Sequence, residues 1–359
     1  MEPYVIRGLP NLGATCYLNS IIQILCNTME LRPLIRSSVT SANPDSEANE
    51  ICSAYETWLT GHINRDITDH ANAMNLRSFI IKFINYYQNF GGGMQDQHEY
   101  LMLLLKLLHD SRSAKCSFTI NGTKVSPLDD LEERALDNLR RDGMWTSFDN
   151  LSTPHQGWHS VIFSTFTGQF HSQTLCMNLD CSYVSHRFET FRVLETDIPP
   201  TDNGQLSLAD CLKWSTRETQ LDESDSYECD KCKQRSRSIR KMNVWRLPPV
   251  LIICVKRFIA SYSNGQLRLD KNNTNISVPE ELDMSTYMTV ADIAKGATKY
   301  ELYAIAHHIG NQHGGHCYTN LKSPDNTWFV VDDANIVKLS HPSFNDSTSY
   351  LLFYRKTVT

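Results

Sequence analysis

What this sequence lacks narrows its function first. No apolar run is long enough to cross a bilayer: the longest aliphatic stretch, near VLIICV at 250–255, falls far short of the ~20 residues a spanning helix needs. The opening MEPYVIRGLPNLG has no apolar core of the kind a secretory signal carries. Positive charge is short as well. Lys and Arg total 34 against 40 Asp and Glu, a net charge of −6, which argues against a nucleic-acid binder with a basic face. That balance suits a partner presenting basic residues. Internal repeats and low-complexity tracts are missing too. The expectation is a monomer of the cytosol or nucleus, with neither membrane nor nucleic acid as partner. In such a reducing place the 11 cysteines are expected to be free thiols, metal ligands or a nucleophile rather than disulfides. The sequon Asn121-Gly122-Thr123 would then be silent.

What is present is an ordinary globular composition, 41% apolar and 21% charged over 359 residues, enough for about two domains or one large lobed domain. The first ~150 residues read as mainly helical. Leu18, Ile21, Ile22 and Leu25 mark one apolar face from Tyr17 to Cys26, and Leu101, Leu104, Leu105 and Leu108 mark another behind Gln95-Asp96. A further helix is expected around Leu76–Phe90, and DDLEERALDNLRRD (129–142) reads as a charged, solvated helix; residues 37–50 read as a polar loop. After about residue 160 the pattern changes. VIFSTFTGQF, SHRFETFRVL, SIRKMNVWRL, VLIICVKRF, YELYAIAHHI and WFVVDD are β-branched and aromatic, with 200–228 and 260–275 expected to be loop-rich. A helical lobe followed by an antiparallel β lobe leaves a cleft between them, a usual place for an active site.

Cys16, in GLPNLGATCYLNS (8–20), stands at the first turn of the Tyr17–Cys26 helix, with Thr15 as its expected N-cap. A lone cysteine at a helix start is usually a plain core residue. Here the positive end of the helix dipole would lower its pKa and populate the thiolate. Gly8 and Gly13 let the preceding loop turn sharply. Asn11 can aim its amide at an oxyanion, beside the Cys16 backbone N–H.

Among 13 histidines, His316 stands out behind Gly314-Gly315 and ahead of a hairpin. A five-residue loop, 322–326, would face Leu321 with Thr327 and set His316 opposite Asp332; a four-residue loop, 323–326, would set it opposite Asp333. Spacing alone leaves the two registers open. A carboxylate there would fix the imidazole's tautomer, whereas the plain alternative is a surface histidine near a solvated acidic pair. Asp96 and Glu99 share a face at a helix start, where acids commonly just complement the dipole. Cys229-x2-Cys232 has metal-ligand spacing and Cys176-x4-Cys181 a looser version of it, so the four are either unrelated thiols or one tetrahedral site.

These stretches resemble the ubiquitin-specific proteases. Asn11, Gly13, Thr15, Cys16, Tyr17 and Asn19 match the family's cysteine motif; His308, Gly310, Gly315, His316, Trp328, Asp332 and Asp333 match its histidine motif. MQDQHEYLMLLLKLLH, LPPVLIICVKRF (247–258) and VPEELDMSTYM (278–288) are similar to further family segments, from Gly8 to Tyr354 in the family's order. The resemblance implies an α+β, papain-like cysteine protease fold with thumb, palm and fingers: a helical thumb over 1–155, and β-rich fingers and palm over 156–359, with the fingers at about 165–255. It implies a deubiquitinase that hydrolyses the bond after ubiquitin's C-terminal Gly-Gly, with ubiquitin and ubiquitinated proteins as partners. Cys16 is then the nucleophile, His316 its base, Asp332 the orienting acid and Asp333 an auxiliary group. Asp96 and Glu99 would meet ubiquitin's Arg-rich tail, and Phe258 would border the tail channel. A structural zinc would sit on Cys176, Cys181, Cys229 and Cys232. Three departures stand out: Cys317 where the family usually has Tyr, Met94 for a usual Gln, and Cys254 for a common His. Other readings are a protease for another ubiquitin-like modifier, a catalytically silent ubiquitin-binding scaffold, and a zinc-ribbon nucleic-acid binder, which leaves Cys16 and His316 unexplained.

Overall fold

The computed structural model describes residues 6–32, 46–64, 68–88, 90, 93, 95–115, 118–120, 123–125, 158–221 except 203, 227–288 except 264–265, and 298–357 except 312, 313, 341 and 343. The helix expected over 129–142 and the departure at Met94 lie outside these residues. The helical part comprises α1 (Cys16–Cys26), α2 (Ser46–Asn64), α3 (Asp69–Tyr86), α4 (Gln97–Arg112), α5 (Val161–Phe166) and, later in the chain, α6 (Leu208–Ser215). Caps set several starts. The Thr68 side chain accepts from Ala71 N–H, Asp96 from Glu99 N–H, and Ser207 and Asp210 close a reciprocal capping box on α6. Helix α1 is buried all round, including Asn19, Ser20 and Gln23, so its apolar stripe understates its burial.

The main sheet has a shared strand that organises both cores. Its strands are β3 (Leu194–Thr196), β8 (Val250–Val255), β11 (Glu281–Asp283), β12 (Lys299–Asn311), β13 (Gly314–Lys322), β14 (Trp328–Asp332), β15 (Asn335–Lys338) and β16 (Ser349–Lys356). They run in the order β15-β14-β13-β12-β16-β8-β3, with β11 also on β12. Every residue of β8 is buried. Val250, Ile252 and Cys254 join the core beneath the helices, while Leu251, Ile253 and Val255 join a second core on the other face. A strand covered on both faces reads as a continuous apolar run, and each such side chain contributes about 1.5–3 kcal/mol by burial.

A separate four-stranded sheet, in the order β2-β1-β7-β4, comprises β1 (Gly168–Cys176), β2 (Val184–Phe191), β4 (Thr219–Leu221) and β7 (Ser238–Arg246). Beyond its tip lies the short pair β5 (Tyr227–Glu228) and β6 (Arg235–Ser236).

Five sequence expectations need correction. VIFSTF is α5 rather than a strand: the Ser160 hydroxyl caps it through Phe163 N–H, and Ile162 and Phe166 find burial, so tertiary packing overrides β propensity. Residues 260–275 are mostly the hairpin β9 (Phe258–Ser263) and β10 (Gln266–Lys271), and 200–228 contains α6. The polar stretch 37–50 ends in helix from Ser46, and the helix placed around Leu76–Phe90 spans Asp69–Tyr86. In α3 and α6 polar surface residues hid an element whose buried face is narrow. Among the described residues no helix is long and apolar enough to cross a membrane.

Candidate active site

The loop before α1 is pinned onto the turn between β14 and β15. A Cβ on Gly8 would lie 2.4 Å from the Ala334 carbonyl oxygen, and Leu9 N–H donates to the Asp333 carbonyl at 2.9 Å. Gly13, at φ +100°, then turns the chain into the helix. Thr15 occupies the N-cap position without capping: its hydroxyl instead accepts from Leu12 N–H at 2.9 Å. Asn11 organises this loop, its Oδ1 accepting from Gly13 N–H at 3.0 Å and Thr15 N–H at 3.2 Å.

This loop carries Cys16 to an open edge of the main sheet. The β13–β14 ladder begins at Lys322↔Trp328 and stops at Thr319↔Val331, which leaves residues 316–318 of β13 unpaired on that side. Helix α1 packs against β13 here, and the Cys317 thiol, the Cys317 backbone N–H and His316 all act on the Cys16 sulfur. The register differs from both alternatives read in the sequence. The Ser323 N–H bonds to the Thr327 carbonyl at 2.8 Å and Asn326 takes φ 64°, so the turn shifts pairing by two residues from the 322–326 loop. A two-residue shift preserves the face of every side chain. Asp332 therefore reaches His316 diagonally, Oδ1 to Nε2 at 2.5 Å.

The electrostatics follow from these contacts. The Cys16 thiol is brought down to about 6, chiefly by the Cys317 S–H, against its own burial and with help from the Cys317 N–H and His316. The largest of these contacts is the second thiol, which adds to the helix start expected from sequence. On His316, burial works to lower the pKa, but the Asp332 hydrogen bond and charge together with Cys16 raise it. With Nε2 occupied by Asp332, Nδ1 is the ring nitrogen that serves Cys16. A Cys16 pKa of about 6 favours the thiolate at neutral pH, and the upward shift on His316 favours the imidazolium beside it. Because protonation removes the nucleophile, the rate of Cys16 alkylation by iodoacetamide should fall as pH drops through about 6. Cys317→Ala should move that inflection to higher pH. An inflection unchanged by the substitution would contradict the assigned cause.

Asp333, at φ 50°, keeps its carboxylate within 4.8 Å of the His316 ring, but its hydrogen bonds tie down the loop and helix. Its Oδ2 accepts from Asn11 Nδ2 at 2.9 Å and its Oδ1 from Asn19 Nδ2 at 2.7 Å. The first contact fixes the Asn11 amide plane beside Cys16. Sequence places Asn19 in the cysteine motif but gives it no role. The signal for one is a polar residue on a helix that is buried all round.

Asp96 sits on the same, helical face of the sheet, close enough for its charge to act on the Cys317 thiol. One carboxylate oxygen caps α4 through Glu99 N–H at 2.9 Å, and the other accepts from Tyr350 Oη at 2.8 Å. Phe258 packs edge-on against both Tyr350 and His308, so Asp96 and Phe258 are joined through Tyr350, a residue no sequence motif flagged. The Glu99 side chain is exposed. Cys254 is buried, which raises its thiol pKa strongly.

The fingertip cysteines converge. The Sγ atoms of Cys176, Cys181, Cys229 and Cys232 all lie within 4.8 Å of one another, with Cys181–Cys229 at 3.7 Å and Cys176–Cys232 at 4.0 Å. Four thiolates at about 2.3 Å from one tetrahedral ion would stand about 3.8 Å apart, so the donor set fits a metal. The four-residue gap is absorbed by a turn, in which Cys181 and Ser182 N–H donate to the Asn178 carbonyl and Ser182 takes φ 44°. The other pair sits on the β5–β6 hairpin, with Lys233 at φ 57°.

A thiolate, an imidazole and an orienting carboxylate where the first helix meets the sheet make the arrangement of a cysteine-dependent hydrolase. The chain belongs to the family described as ubiquitin carboxyl-terminal hydrolase, whose pattern matches residues 7–354. It is 30% identical to "Ubiquitin carboxyl-terminal hydrolase 21" of Homo sapiens, over 97% of this chain and 61% of that protein. It is also 30% identical to "Ubiquitin carboxyl-terminal hydrolase 2" of Homo sapiens, over 97% of this chain and 55% of that one. The chain thus spans roughly 55–61% of the length of these relatives. Among solved structures, the SAGA Ubp8/Sgf11/Sus1/Sgf73 DUB module bound to ubiquitin aldehyde superimposes with a TM-score of 0.72 at 22% identity, covering 100% of this chain and 72% of that one. A form of the same module bound to monoubiquitin gives 0.71 at 22% identity, with the same coverage. The fold is therefore the α+β, papain-like one with thumb, palm and fingers.

Proposed function

We propose that this protein is a thiol-dependent deubiquitinase that hydrolyses the isopeptide or peptide bond after ubiquitin's C-terminal Gly-Gly. The observation that carries the reading is the Cys16–His316–Asp332 line, with Asp332 2.5 Å from the imidazole, in a chain of this family. The Cys16 thiolate attacks the glycine carbonyl, and the Cys16 N–H and Asn11 stabilise the oxyanion. The His316 imidazolium protonates the leaving amine as the C–N bond breaks, which leaves a thioester. His316 then takes a proton from water, whose oxygen attacks the thioester, and ubiquitin departs as a carboxylate. Asp96 and Glu99 supply negative charge for a basic tail, and Phe258 an apolar wall. On this reading the thumb is residues 1–155, and the fingers and palm follow over 156–359. The site of action would be the cytosol or nucleus.

A panel of ubiquitin and ubiquitin-like proteins ending in a C-terminal electrophile tests the substrate class. Preferential labelling by the ubiquitin probe is expected. Preferential labelling by another modifier would transfer the enzyme to that substrate, an outcome the departure at Cys317, beside the nucleophile, makes worth measuring.

The fingertip cluster is proposed to hold a structural zinc. All four ligands are cysteines, a closed set that supplies folding energy rather than an open position for chemistry. Elemental analysis of protein purified without added metal should find about one zinc per chain, and chelation should lower the melting temperature. Folded, active protein with a zinc content near zero would overturn the site.

A further inference from the structure

Cys317 is an unusual neighbour for a nucleophile. It lies on the face of β13 that packs toward α1, in the same core as Cys16, and is 1% exposed. Cys16 at the start of α1 packs against β13 in this core, and the Cys317 thiol and backbone N–H both act on its sulfur, so the two thiols are neighbours. Elsewhere, Cys26, Cys52 and Cys254 are buried thiols whose pKa burial raises. A low-pKa thiolate is the form peroxides oxidise, and a second thiol in contact is what resolves the product before it oxidises further.

We propose that Cys16 and Cys317 form a reversible disulfide, making the active site a switch that responds to hydroperoxides. The Cys16 thiolate attacks one peroxide oxygen. The O–O bond breaks, Cys16 becomes a sulfenic acid, and the hydroxide released becomes water by taking the His316 proton. Cys317 then gives up its thiol proton and its sulfur attacks the Cys16 sulfur. The S–O bond breaks, and the departing hydroxide takes up that proton as a second water. Two electrons pass from the two sulfurs to the peroxide, and a dithiol reductant returns them.

The contact itself times the second step. The pKa of Cys317 is raised chiefly by its hydrogen bond to ionised Cys16, and also by burial and the charge of Asp96, with Lys271 opposing. Oxidation removes the Cys16 negative charge, so Cys317 ionises more easily only once there is a sulfenic acid to attack. In the reduced enzyme it stays a protonated donor.

The proposal rests on Cys16 being the reactive thiol, not on ubiquitin being the substrate. The test treats the whole protein with hydrogen peroxide in modest excess, maps peptides without reduction, and follows hydrolysis of a ubiquitin C-terminal amide before and after dithiothreitol. The wild type should lose two hydrogens in a single Cys16–Cys317 linked peptide and recover nearly all its activity on reduction. Cys317→Ser, with Cys317→Ala as a second variant, should instead gain oxygens on Cys16 and stay inactive after dithiothreitol. Wild-type protein whose Cys16 carries added oxygens and no linked peptide would overturn the switch. So would variants that recover as fully as the wild type. The linked peptide is read by mass, so it stands or falls even if hydrolysis of ubiquitin is never observed.

Discussion

Replacing Cys16 by alanine is expected to lower kcat on a ubiquitin-derived substrate by about four to six orders of magnitude, to the level that binding and oxyanion contacts alone sustain. The basis is local: no other described thiol has both an imidazole and a low pKa. Cys317 touches the site but is held protonated, and Cys26, Cys52 and Cys254 are shifted upward by burial. The substitution removes one sulfur from a well-packed helix, so the melting temperature should change by only a few degrees. Steady-state kinetics and a thermal melt on the same preparation separate the two effects. Retained turnover in folded Cys16→Ala protein would remove the nucleophile from the account.

The second large effect concerns the two aspartates. Asp332→Ala should lower kcat by about two orders of magnitude or more with KM little changed, because the imidazole loses the group that fixes its tautomer and stabilises its charge. Asp333→Ala should reduce kcat less. Its main effect should be on stability, a loss of about 1–3 kcal/mol, because buried Asn19 is left without its carboxylate partner and the Asn11 loop loosens. A larger kcat loss at Asp333 than at Asp332 would show that the wrong carboxylate has been assigned to His316.

That pair also shows where sequence reading stops. Alternation along β13 and β14 is legible, and it confines the candidate acids to two adjacent residues. The register is not, because it depends on the turn at 323–327, where the left-handed conformation of Asn326 closes the hairpin two residues further on than the sequence alone suggests. Face survives the error because the shift is even. Cys16 and its loop are legible through the glycines and the motif, yet Thr15 looks like a cap and is not one. The lowered pKa of Cys16 can be expected from sequence through its helix start, but not through its largest contact. A helix dipole is a local property, whereas the Cys317 thiol reaches Cys16 only through a sheet edge formed by strands about three hundred residues away. The same limit hides the contacts of Asn19 and Tyr350, whose partners Asp333 and Asp96 are distant in the chain. The α5 segment fails differently: β-branched composition points to a strand, and a serine cap with two buried side chains decides for a helix.

The most direct test of the central claim is the site of covalent capture. The wild-type protein is reacted with ubiquitin bearing a C-terminal electrophile, digested, and the adduct located by peptide mapping, with Cys16→Ala as the parallel sample. A single adduct on Cys16 is expected, formed at pH 7 and lost in the variant. An adduct on any other cysteine, or a folded protein that the probe leaves unmodified, would contradict it.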